Sequence, residues 1–210
     1  MELSSLLRLM HEKSASDLFL TAGIPPTMKV DGKTAPVSSE ALTPDSSMEI
    51  ITGMMTPAQR DEFEATRECN FAINEEGVGR FRVSAFIQRD QAGAVLRRIE
   101  AYIPSLEELN LPPILKNLAM TKRGLIIFIG ATGTGKSTSL ASMIDFRNQS
   151  GTGHIITIED PIEYVHPHKG CIVTQREVGI DTESFETALK NTLRQAPDVI
   201  VLGEMRDIDT

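Results

Sequence analysis

The residues Gly130-Ala131-Thr132-Gly133-Thr134-Gly135-Lys136-Ser137 fit GxxxxGK[ST], a spacing whose chemistry is the holding of a polyphosphate. Glycines let backbone N–H groups converge on phosphate oxygens, and the positive end of a following helix adds to the attraction. In such a loop Lys136 reaches the β- and γ-phosphates, the Ser137 hydroxyl helps hold Mg²⁺, and Thr138 completes the nucleotide-facing set. A glycine-rich turn that binds nothing is the plain alternative. Context argues against it: Leu125-Ile126-Ile127-Phe128-Ile129 reads as a buried strand before the loop, and Thr138 to Phe146 carries apolar residues at helical spacing after it.

Two groups of acids could act with this loop. Asp198-Val199-Ile200-Val201-Leu202-Gly203-Glu204 reads as a buried strand ending in Glu204, placed to bind Mg²⁺ directly or through water. Thr157-Ile158-Glu159-Asp160-Pro161-Ile162-Glu163 puts three carboxylates within five residues, with Pro161 stiffening the turn. Water attacking a γ-phosphate in line needs an oriented carboxylate acceptor, and Glu163 is the candidate, with Glu204 as its partner at the metal. Without the glycine loop both would read as ordinary acidic strand ends. Arg80, Arg82, Arg89, Arg97 and Arg98 concentrate upstream; they form either a solvated charged face or a source of one or two phosphate-reaching guanidinium groups. His154, His166, His168 and Cys171 lack metal-site spacing and read as loop and strand-end residues.

The elements that must position these groups fall into two patterns. Over residues 1–100, an amphipathic helix to about Lys13 precedes Asp17–Thr21, a turn at Pro25-Pro26 and a hairpin over 28–33. Thr43-Pro44 and Thr56-Pro57 read as N-caps with Pro at the first helical position, starting helices over 44–53 and 57–66. Strands follow near 69–73, 79–89 and 92–99, with Phe81, Val83, Ala85 and Ile87 on one face. This is a small α+β domain with an antiparallel sheet. Pro104 and Pro112-Pro113 frame a linker over 101–113. From 114 to 210 the pattern alternates: helix to Thr121, strand 125–129, helix 136–149, strands near 154–158 and 171–175, helix 183–195, strand 198–202. Alternation of this kind gives an α/β domain with a mainly parallel sheet.

Composition narrows the class. The chain has 210 residues, 40% hydrophobic, 24% charged, with net charge −8 and no Trp. That balance disfavours a nucleic-acid partner, whose phosphates call for a basic surface and stacking aromatics. No apolar run approaches the roughly 18 residues needed to enter and cross a bilayer. The start of the chain lacks the basic end and apolar centre of a signal peptide. Cys69 and Cys171 are too few and too far apart for a disulfide or metal framework, and read as reduced thiols.

Taken together, Gly130 to Ser137, the Ile158–Glu163 box and Leu202-Gly203-Glu204 resemble the secretion ATPases of type II secretion and type IV pili, where the strand-end acid is a Glu preceded by Gly. The resemblance covers the whole chain and narrows to the PilT/PilU retraction branch. Segments 68–73, 80–86, 118–124, 130–135 and 190–198 look most like its PilU members. It implies a PAS-like N-terminal domain joined flexibly to a RecA-like phosphate-loop domain in a hexameric ring of identical subunits. Such a ring is a cytoplasmic ATPase at the inner-membrane face of the pilus machine. It turns ATP over with Mg²⁺, passes its deformation to the inner-membrane platform protein, and works with a PilT-like ATPase. By position, Arg82 and Arg97 match the family's phosphate-reaching arginines. Family members continue past Arg206-Asp207, so the resemblance also implies a truncated piece that lacks sheet strands beyond Glu204. Such a piece would bind nucleotide weakly and turn it over poorly. An ATP-responsive scaffold with little hydrolysis of its own is the alternative.

Overall fold

The computed structural model describes residues 2–131 and 133–205, and the chain divides after Ile99 into two compact units. The first contains α1 (Leu3–Glu12), β1 (Asp17–Thr21), β2 (Thr27–Val30), β3 (Lys33–Pro36), α2 (Pro44–Gly53), α3 (Pro57–Thr66), β4 (Glu68–Glu75), β5 (Gly79–Gln88) and β6 (Gln91–Arg98). Its six strands pair antiparallel in the order β3-β2-β1-β6-β5-β4. Alternation puts Phe81, Val83 and Ala85 of β5 with Leu18, Leu20, Leu96 and Phe71 on one face, where Leu6, Leu7 and Met10 of α1 cover them. Both threonine caps form as their spacing predicts. Thr43 closes a capping box with Ser46, and Thr56 closes one with Gln59, each with Pro at the helix start.

The second unit begins at Glu100 and contains α4 (Ile114–Ala119), α5 (Lys136–Ser150), β7 (Gly153–Glu159), β8 (Cys171–Glu177), α6 (Phe185–Thr192) and β9 (Val199–Leu202). Its strands are parallel in the order β8-β7-β9. Ile155, Val173 and Val201 of the sheet pack with Ile144 of α5. Residues 100–113 are held to this unit. Leu106 is buried with Ala119 and Met143, and the Pro104 carbonyl accepts the Ser142 hydroxyl at 2.6 Å. Glu108 accepts the Tyr102 hydroxyl at 2.5 Å and the Ser105 N–H at 2.7 Å, which hold its carboxyl down to about 2.

One expected element is absent. Residues 125–129 form no strand: Leu125 is 83% exposed and Ile129 90%, and only Phe128 joins the Leu106 cluster. A parallel strand exists only where a neighbour accepts its ladder. Among the described residues, β9 ladders with β7 alone. The apolar run is real, but the strand it implied has no partner here. A smaller difference lies in α6, which occupies eight residues within the expected 183–195.

Candidate functional site

The site starts from the first turn of α5. Its N-cap is Gly135 at φ +85°, with no side chain capping the helix. The leading N–H groups of a 15-residue helix therefore face outward without an internal acceptor, which is the local condition for holding an anion. Gly133 also sits in the left-handed region, at φ +79°. Gly130 answers a different need: a Cβ there would lie 2.8 Å from the Thr134 hydroxyl oxygen. That hydroxyl donates to the Ala131 carbonyl at 2.8 Å and closes the loop on itself. The Lys136 ammonium donates to the Gly130 and Ala131 carbonyls at 2.9 and 2.8 Å. These acceptors are neutral, so a charged phosphate oxygen competes well for the same ammonium. Ser137 is exposed at the helix start, and Thr138 half-buried behind it. Thr132 lies outside the described residues.

The acids come from the carboxyl ends of β7 and β9. The two strands run parallel with Ile158 level with Leu202, and the Gly203 N–H donates to the Ile158 carbonyl at 2.8 Å. Glu204 therefore leaves its strand beside the start of the Glu159–Glu163 box. Gly203 eases that approach, since a Cβ on it would lie 3.2 Å from the Glu159 Cα, closer than ordinary contact. Glu159 itself is a support. Its carboxylate accepts the Thr157 hydroxyl at 2.5 Å and the Gln175 amide at 3.1 Å. Burial pushes the Glu159 carboxyl up, opposed by those hydrogen bonds and one from the Glu163 backbone. Glu163 is exposed at the far end of the turn, and the Ile162 N–H is anchored on the buried Glu177 at 3.2 Å. The phosphate-loop helix and the acid turn meet where the Tyr164 hydroxyl lies 3.1 Å from the Thr138 hydroxyl.

Sequence reading singled out Lys136, Ser137, Glu163 and Glu204, but passed over the groups that seat the acid turn: Tyr164, Gln175 and Asn148. Asn148 is fully buried in α5. Its amide donates to the Pro167 carbonyl at 2.7 Å, and its oxygen accepts the Lys169 and Cys171 N–H groups, both at 3.2 Å. Beside it, the Lys169 ammonium meets Asp145 at 2.6 Å. The available signal was the three-residue spacing of Ser142, Asp145 and Asn148, all polar and all buried along α5. The rings of His154 and His168 are bonded within this framework. His154 reaches Thr174 at 2.8 Å, His168 accepts the Val173 N–H at 3.1 Å, and burial lowers His166 to about 4. Among the described residues no group of three His, Cys, Asp or Glu could hold a metal ion.

Arg82 and Arg97 belong to the first unit, where they face each other across β5 and β6. Arg97 is held by Asp17 at 2.8 Å, and Asp17 is almost fully buried. No helix among the described residues is long and apolar enough to cross a membrane.

Residues 60–210 match the family model described as "Type II/IV secretion system protein". The chain belongs to that family. It is 66% identical over all 210 residues to the type IV pilus ATPase PilU of Pseudomonas aeruginosa, covering 55% of that protein. It is 44% identical to the retraction ATPase PilT of the same organism, covering 61% of it. Among solved structures it superposes on the pilus retraction motor PilT with bound ADP at a TM-score of 0.93 and 45% identity, across the whole chain and 62% of that protein. The ATPase DotB of Legionella pneumophila follows at 0.74 and 26%, covering 99% of this chain and 58% of that one. The chain thus spans 55% and 61% of the lengths of these two pilus ATPases.

Proposed function

We propose that this chain serves ATP hydrolysis in a PilU-like motor of type IV pilus retraction, the activity behind twitching motility. The observation that carries the reading is the meeting of an uncapped, glycine-led helix start with the acid-bearing ends of two parallel strands. The N–H groups of 133–138 and the Lys136 ammonium would hold the β- and γ-phosphates, and Ser137 and Glu204 would hold Mg²⁺, Glu204 through water. Bound magnesium supplies neutralisation of the phosphate charge. Glu163, which is exposed, orients the attacking water and takes its proton. Arg82 and Arg97 are proposed to stabilise charge on the transferred phosphoryl group, which requires Arg97 to exchange Asp17 for phosphate.

A hexameric ring of identical subunits, working on the inner-membrane platform protein from the cytoplasmic side and together with a PilT-like ATPase, completes the proposal. High identity to PilU supports that choice within the branch. Steady-state ATP turnover by the full-length protein, beside Glu163→Gln, tests it. The expected result is turnover in the parent and a loss of at least a hundredfold in the variant. A folded parent that takes up ATP without turning it over would favour a nucleotide-responsive scaffold instead.

A further inference from the structure

We propose that Tyr164 is a positioning residue for Glu163, its hydroxyl tying the acid turn to Thr138 in the first turn of the phosphate-loop helix. The proposal rests on the hydrolytic reading above, and concerns how the acid that faces water is kept in place.

Glu163 is exposed, and an exposed glutamate on a turn has many rotamers and a soft backbone beneath it. Its own backbone gives one hydrogen bond to Glu159, and the rest of its precision must come from the residues on either side. Before it, the Ile162 N–H is fixed by Glu177. After it, three bonds converge on two consecutive residues. The Tyr164 carbonyl accepts the Gln175 amide at 2.8 Å, and the same amide also donates to Glu159 at the end of β7. The Val165 N–H donates to the Glu100 carbonyl at 3.2 Å. The Tyr164 hydroxyl meets Thr138 at 3.1 Å, and both side chains are half-buried.

The first two of these bonds hold the turn to the sheet and to the segment entering the unit. The third alone, among the described hydrogen bonds, joins residues 160–166 to residues 130–138. Thr138 is also two positions past Lys136, on the turn of helix whose N–H groups face the phosphates. A phosphate chain that orders this turn therefore orders the Thr138 hydroxyl, and through it the residue next to Glu163. Removing the tyrosine oxygen leaves the ring and its packing, but uncouples the water-facing acid from the helix that holds the phosphorus it must serve.

Such a residue touches neither phosphate nor water, so its loss should appear in turnover and not in nucleotide affinity. The experiment uses full-length protein and compares the parent with Tyr164→Phe, Glu163→Gln and the double variant, with ATP affinity and circular dichroism measured on each. Expected are a kcat loss of about tenfold in Tyr164→Phe, an ATP Kd within threefold of the parent, and a double variant no slower than Glu163→Gln alone. Should Tyr164→Phe not fold, Thr138→Ala removes the same bond from its other end, and carries the same expected kcat loss at saturating ATP. A kcat loss below threefold in the folded variant, or losses that multiply in the double variant, would overturn the proposal. A parent that shows no turnover at all would instead count against the hydrolytic reading itself.

Discussion

Asn148 offers the most quantitative test of how the acid turn is held. Replacing it by alanine removes three hydrogen bonds from a residue with no solvent exposure, stranding the Pro167 carbonyl and the Lys169 and Cys171 N–H groups. The carbonyl bond is short at 2.7 Å, whereas the two N–H bonds are long at 3.2 Å. Each stranded group costs about 1 kcal/mol, for a sum of about 3 kcal/mol. Alanine returns about 0.6 kcal/mol in helix propensity, leaving a net loss of about 2.5 kcal/mol. The chain has no Trp, and both of its tyrosines, Tyr102 and Tyr164, lie in the second unit, so tyrosine fluorescence reports that unit's unfolding without the first. With a urea dependence of about 1.3 kcal/mol/M for a unit of this size, the midpoint should fall by about 2 M. Asn148→Asp should not rescue, because it keeps the acceptor but sets a buried carboxylate against the Pro167 carbonyl. A midpoint shift under about 0.5 M in the alanine variant would refute the claim that this side chain carries the β7–β8 connection.

His166 is buried and held near 4, so the folded state resists the proton that the unfolded chain accepts near 6.5. Stability of the second unit should therefore fall as pH drops from 6.5 towards 4, by on the order of 2–3 kcal/mol in all. Most of the slope between 6.5 and 5 should vanish in His166→Gln, as read by urea midpoints; an unchanged slope would contradict this. Thr56→Ala removes the acceptor for the Gln59 N–H and should cost about 1 kcal/mol, seen as faster amide exchange over α3, while a change below 0.3 kcal/mol would contradict the role of the cap.

Much of the first unit was legible because its signals are local. Thr-Pro pairs announce the starts of α2 and α3 to the residue, since a cap is made by neighbours in sequence. Alternation in β5 likewise names its buried face before any partner strand is known. The glycine loop was legible for the same reason: its conformation depends on which positions lack a Cβ. Residues 125–129 show the limit. Five apolar residues read alike whether or not a neighbour accepts their ladder, and pairing is a property of the sheet. The supports of the acid turn were hidden for a related reason. Tyr164, Gln175 and Asn148 act across 26, 16 and 19 residues of chain on Thr138, Glu159 and Pro167, and no pattern along a single element records such partners.

Titration calorimetry of ATP with Mg²⁺ into the full-length protein, alongside Lys136→Ala, bears most directly on the claim that residues 130–137 cradle a triphosphate. Heat of binding at one site per subunit in the parent, weakened at least a hundredfold in the variant, is the predicted result. Equal affinity in the two proteins, or no uptake by a folded parent, would contradict it.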